Sequence, residues 1–145
     1  MRKELYEKLC KALRGVGDGM IRHIDMWNRN VEFIEQETAW ERPAVFIEFE
    51  PIVWSAQVTG VRYVSEARLR LHIITDWFHA CTPGERTGLG IDLDLPERIH
   101  EAIAGLSGDS FTDLRLAESI TNHNHEEIVE SIEVYTYVAY TGVDA

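Results

Sequence analysis

The chain has 145 residues, 45% of them hydrophobic and 27% charged, which suits one globular domain that can bury a core without disulfides or metal. A formal net charge of −11 argues against general affinity for nucleic acid or for an anionic membrane surface, both of which are held by clustered Lys and Arg. Cys10 and Cys81 form no CxxC and read as free thiols of a reducing compartment.

The opening residues, Met1 to Lys8, mix charges and lack the apolar stretch of a secretory signal. No run approaches the ~18 apolar residues of a membrane span, so folding is expected in a cytoplasm with no membrane partner. Leu5, Leu9, Ala12, Leu13 and Val16 recur at helical spacing and predict an amphipathic helix over Lys3–Leu13, stopped by Gly15, Gly17 and Gly19. Between Met20 and Trp40, Ile21, Ile24, Trp27, Phe33 and Ile34 are too apolar for a free linker, so this segment is expected to pack on the body of the domain. Its Glu35–Glu37 stretch reads as a solvated face.

Pro43 opens a strand expected over Ala44–Ala56, with Val45, Ile47 and Phe49 on one side and Phe46, Glu48 and Glu50 on the other. Pro51 within it marks a bulge or an edge position. After a turn at Thr59-Gly60 the return strand, Val61–Asp76, alternates most cleanly. Ser65, Ala67, Leu69, Leu71 and Ile73 face one way; Glu66, Arg68, Arg70 and His72 face the other, which is wet or in an interface.

Asp76–Leu89, with Pro83, Gly84 and Gly88, reads as a loop. Asp94 or Leu95 then caps a helix expected over Pro96–Leu106, with Pro96 at or near its first position and Ile99, Ala102, Ile103 and Leu106 as its apolar face. Gly105 and Gly108 mark its end. Two strands, Asp113–Thr121 and Ile128–Tyr140, flank a turn at Asn122–His125.

The elements add up to one α+β domain over residues 1–145, ordered α-β-β-α-β-β. The expectation is one mainly antiparallel four-stranded sheet with two helices on one face. The other face is polar and studded with aromatics, as a sheet would be if neighbouring subunits leaned on it. Arg68, Arg70, His72, Tyr135, Tyr137 and Trp54 are the candidate contact residues, because large amphipathic and cationic side chains concentrate binding energy.

Catalytic chemistry finds little support. His123 and His125, with Glu126 and Glu127, could share a divalent cation if they lay in a strand, but the segment has turn composition and lacks an HExxH or Cys partner. Asp92 and Asp94 are explained by the N-terminal dipole of the helix that follows. Cys81 lies near His79 without a third orienting group. Gly15–Gly19 follows a helix rather than a strand and lacks Lys-Ser/Thr, so it is neither a P-loop nor a dinucleotide fingerprint. The chain reads as a non-enzyme with no cofactor and no metal.

The stretch Pro96–Gly108, placed after an alternating strand and a polar loop and before a two-strand finish, resembles the corresponding part of the small tail-completion and tail-terminator proteins of long-tailed bacteriophages, the lambda tail terminator among them. The opening helix, Pro43–Ile47 and Arg68–Ile74 fall where that family places its first helix and first two strands. The resemblance spans about Lys3 to Val143, and the segment Arg22–Trp40 departs from the shorter members. It implies a structural virion or prophage protein that forms a ring with itself, commonly a hexamer, and caps the tail tube at the head–tail junction. The implied partners are the tail-tube protein and a head-completion or connector protein. The alternatives are another phage neck or baseplate adaptor, or a small metal- or ligand-binding α+β domain. The implied interface lies on exposed strand faces and in the hairpin loop Ser55–Gly60.

Overall fold

The computed structural model describes residues 1–28, 40–76, 88–122 and 128–142. Helix α1 (Arg2–Arg14) turns Leu5, Leu9, Cys10 and Leu13 inward, the one-sided apolar stripe that makes a helix seek a partner surface. It ends in a single 3-10 turn at Val16–Asp18, closed by Gly19 at φ 89°, a left-handed conformation that costs glycine little. The chain then runs through β1 (His23–Met26), β2 (Ala44–Phe49), β3 (Ser55–Val58), β4 (Arg62–Asp76), helix α2 (Gly88–Ile103), β5 (Phe111–Asn122) and β6 (Ile128–Gly142).

All six strands join one sheet in the order β1-β2-β4-β6-β5, with β3 beside the first residues of β4. The long strands β4 and β6 pair antiparallel along their whole length, from Arg62↔Gly142 to Asp76↔Ile128, and form the centre. Strand β1 pairs parallel with β2, from His23↔Ala44 to Met26↔Ile47.

This corrects the expected α-β-β-α-β-β order and its four-stranded, mainly antiparallel sheet. The sheet is mixed and six-stranded, and four strands lie between the two helices. Two local causes account for the difference. Proline has no N–H for a ladder, and around Pro51 the expected strand Ala44–Ala56 breaks into β2 and β3, which pair with different parts of β4. Strand β1 is four residues long, too short for alternation to announce it. Helix α2 also begins at Gly88, earlier than expected, so that Pro96 lies inside it.

Residues of both helices share one core with the sheet. Leu5, Leu9 and Leu13 of α1 and Leu95, Ile99 and Ile103 of α2 cluster with Val45, Ile47, Leu69, Leu71 and Ile73. Each such side chain contributes roughly 1.5–3 kcal/mol by leaving water. The opposite face carries a smaller cluster, Ala44, Phe46, Ile74 and Ile128, over which Trp27 and Trp40 pack. The N-terminal turn of α1 is tied to the loop after α2. Ser110 donates to the Glu4 carboxylate from its backbone N–H (3.0 Å) and hydroxyl (2.7 Å), and Lys8 Nζ donates to the Ser107 carbonyl (2.7 Å).

Candidate functional site

Strand β4 divides the candidate residues. Its even positions, Arg68, Arg70 and His72, lie on the sheet face opposite the helices, and their neighbours are set by register: Glu48 opposite Arg70 on β2 and Phe46 opposite His72. Arg68 Nε stands 3.3 Å from Glu50 Oε2 and its Nη2 stands 3.8 Å from Glu118 Oε2; Arg70 Nε is 3.8 Å from the same Glu50 oxygen. Both guanidinium groups are thus engaged within their own chain while remaining half-exposed. Such pairs in water contribute little stability, about 0–1 kcal/mol each.

His72 is a correction. It is buried rather than presented to a neighbour. Its Nδ1 lies 2.7 Å from Glu130 Oε2 and its Nε2 lies 2.7 Å from Glu48 Oε1, while Asn122 Nδ2 donates to the other Glu130 oxygen at 2.7 Å. Trp27 stacks on the imidazole, ring centroids 3.7 Å apart and planes 3° from parallel. Two imidazole–carboxylate hydrogen bonds require two protons, carried either as an imidazolium between two carboxylates or as a neutral ring beside one protonated carboxyl. Either way the trio holds one net negative charge under an indole. Glu48, Glu130, Asn122 and Trp27 come from four separate stretches of chain, so only the strand register could have revealed the group.

Tyr135 and Tyr137 are a second correction. Register sets Tyr135 opposite Leu69 and Tyr137 opposite Ala67, on the helix side, and both are fully buried in the core. The expectation erred because Ile132, Val134 and Val138 are the more apolar set of β6, whereas the bulkier tyrosines fill the space beneath the helices. The Tyr135 hydroxyl lies 3.1 Å from His100 Nδ1 of α2. Burial pushes the Tyr135 hydroxyl well above the ordinary tyrosine range and that of Tyr137 up to about 12. Trp54 is half-buried against the main core. The six candidate residues therefore occupy three places and form no single patch.

Two grooves flank the helix layer on opposite sides. One, of about 440 Å³, lies where the start of α1 meets the β1–β2 edge and is lined by Arg2, Lys3, Tyr6, Met26, Trp27 and Phe49 among others. The other, of about 530 Å³, lies where α2 meets the β5–β6 edge, with Glu97, His100, Glu101, Leu116, Ser119 and Glu133 in its lining. Glu133 is buried there and accepts a hydrogen bond from the Ser119 hydroxyl.

No family model matches the chain, and no curated protein matches it either. His79, Cys81, His123, His125, Glu126 and Glu127 lie outside the described residues. Among the described residues no group of three or more His, Cys, Asp and Glu side chains is arranged to hold a metal ion, and no helix is long and apolar enough to cross a membrane.

Proposed function

We propose that this chain is a structural subunit of a bacteriophage or prophage tail, which assembles as a ring and caps the tail tube at the head–tail junction. The observation that carries the reading is that, among the described residues, the sheet ends in two unlike edges. At one side stands β1, four residues long and parallel to its neighbour; at the other stands β5, twelve residues long and antiparallel. A closed ring of identical subunits needs a head-to-tail contact, in which two different patches of each subunit meet. Two unlike lateral edges meet that requirement, and the sequence resemblance to tail-completion proteins supplies the biological setting. The partners are other copies of the chain, the tail-tube protein and a head-completion or connector protein.

The purified protein mixed with tail tubes from the same phage tests this by negative-stain microscopy. A ring seated on one end of each tube, with further tube growth halted, is the expected result. Bare tubes that keep growing, beside a protein that remains monomeric, would contradict it. Binding to another neck or baseplate component instead would make the chain an adaptor of that assembly.

A further inference from the structure

A chain with a net charge of −11 repels its own copies, so a contact between them needs a local region of opposite sign. Helix α1 supplies one. Arg2, Lys3, Lys8, Lys11 and Arg14 make it carry five of the chain's fourteen basic side chains against two acidic ones, Glu4 and Glu7. Arg2 and Lys3 are exposed and border the groove at the β1 edge, beside the apolar surface of Met26, which is 44% exposed; the acidic residue in that lining, Glu48, is engaged by His72 at 2.7 Å, so the exposed charge there is basic.

The groove at the β5 edge has the opposite character. Glu97 and Glu101 are exposed along α2, and Leu116 offers an apolar surface that is 42% exposed. Unlike Arg68 and Arg70, none of Arg2, Lys3, Glu97 and Glu101 takes part in an ion pair among the described residues. The ladder between β5 and β6 is broken by two irregularities, at Thr112/Arg115 and at Leu116/Glu118, which spoils the β5 edge for simple strand addition and leaves side chains to make a contact.

Building on the ring reading above, we propose that copies of this chain join head to tail through these two grooves. Arg2 and Lys3 with Met26, on one subunit, meet Glu97 and Glu101 with Leu116 on the next. Each subunit then offers one basic and one acidic side, each with an apolar centre, so the contact propagates in one direction around a ring. The long-range repulsion between acidic copies is offset where it matters, at the joint itself.

Charge reversal on each side of the joint tests the pairing, read as mass in solution by light scattering, with circular dichroism as the check on folding. The two variants are Arg2→Glu with Lys3→Glu, and Glu97→Lys with Glu101→Lys. Acidic residues suit the first turn of a helix, so the first variant should fold. Each variant alone should associate at least about tenfold more weakly than the natural chain, and an equimolar mixture of the two should recover most of that loss. Arg68→Glu with Arg70→Glu, on the open sheet face, should leave association unchanged.

If the natural chain assembles and neither groove variant weakens it, or if Arg68→Glu with Arg70→Glu alone abolishes assembly, the grooves are not the joint although the ring reading stands. If folded variants fail to recover when mixed, the pairing of these two grooves is wrong. A natural chain that stays monomeric at every concentration removes both readings together.

Discussion

Trp27 lies flat on the imidazole of His72, 3.7 Å between ring centroids, and so roofs a histidine whose two nitrogens each face a carboxylate at 2.7 Å. This contact joins the short edge strand β1 to the centre of the sheet across β2. It also shields the network from water, which strengthens its hydrogen bonds and raises the cost of breaking any one of them.

Removing the histidine should therefore be expensive. His72→Ala takes the imidazole away from the buried Glu130, which keeps its Asn122 hydrogen bond, and from Glu48, and the loss should be about 3 kcal/mol of unfolding free energy. Glu130→Gln keeps the shape and a hydrogen-bonding end and should cost less. Urea titration followed by tryptophan fluorescence measures both, because Trp27 reports on the ring beneath it. A His72→Ala protein as stable as the natural chain would show that the network contributes nothing.

Alkaline pH should weaken the fold through the buried tyrosines. The unfolded chain begins to lose tyrosine protons near pH 10, whereas burial raises the Tyr137 hydroxyl to about 12 and that of Tyr135 well above its ordinary range. Between these values the unfolded state binds fewer protons than the native state. Stability is thus complete below about pH 10 and falls as pH rises, by about 1.4 kcal/mol per pH unit for each tyrosine. Denaturant titrations across that range, with tyrosinate absorbance followed in parallel, check the slope. Replacing Tyr137 by Phe should flatten it.

Acid should loosen the tie between α1 and the loop after α2. The Ser110 hydroxyl, then the Ser110 and Asp109 backbone N–H groups, hold the Glu4 carboxyl below its ordinary value of 4.5. Its contribution is present above that value and is lost as pH falls through the lowered one. Glu4→Gln should remove this part of the acid dependence. Gly108→Ala should disturb the same joint at neutral pH, since an added Cβ would run into the Glu4 carboxylate and crowd the Phe111 ring. The Glu4 carboxylate can swing aside only by giving up its Ser110 hydrogen bonds, so a modest drop in the thermal unfolding midpoint is expected.

Leu71 tests the core. It is fully buried between the helices and the sheet, so Leu71→Ala should cost about 2–5 kcal/mol, and Leu71→Asp should abolish folding by burying an unpaired charge. A soluble, cooperatively unfolding Leu71→Asp protein would mean that this face is not the core.

The parts of the fold legible in the sequence are those with a long, regular period. Leu5, Leu9 and Leu13 at fourfold spacing mark α1, and Ala67, Leu69, Leu71 and Ile73 in strict alternation mark β4 and the side on which its core lies. Strand β1 is hidden because the four residues His23–Met26 show no alternation, two half-buried positions being followed by two exposed ones, and its stability comes from its parallel partner β2. The face of β6 was misread because alternation fixes which residues share a side but not which side is inward; Tyr135 and Tyr137 are interior only through their register with Leu69 and Ala67. The site suffered most. Glu48, His72 and Glu130 come together from β2, β4 and β6, and the two grooves join residues from separate elements, as far apart in sequence as Arg2 and Phe49 or Pro96 and Glu133, relations that no local pattern encodes. Arg68 and Arg70 were correctly placed on the polar face, but their pairing with Glu50 and Glu118 depends on neighbouring strands.

The most direct test of the assembly reading is the mass of this chain in solution, measured by sedimentation across a wide range of concentrations. The account predicts one closed species whose mass is a fixed multiple of 16.6 kDa and does not grow further as concentration rises. A species of 16.6 kDa at every concentration, or open-ended growth into filaments, would contradict it.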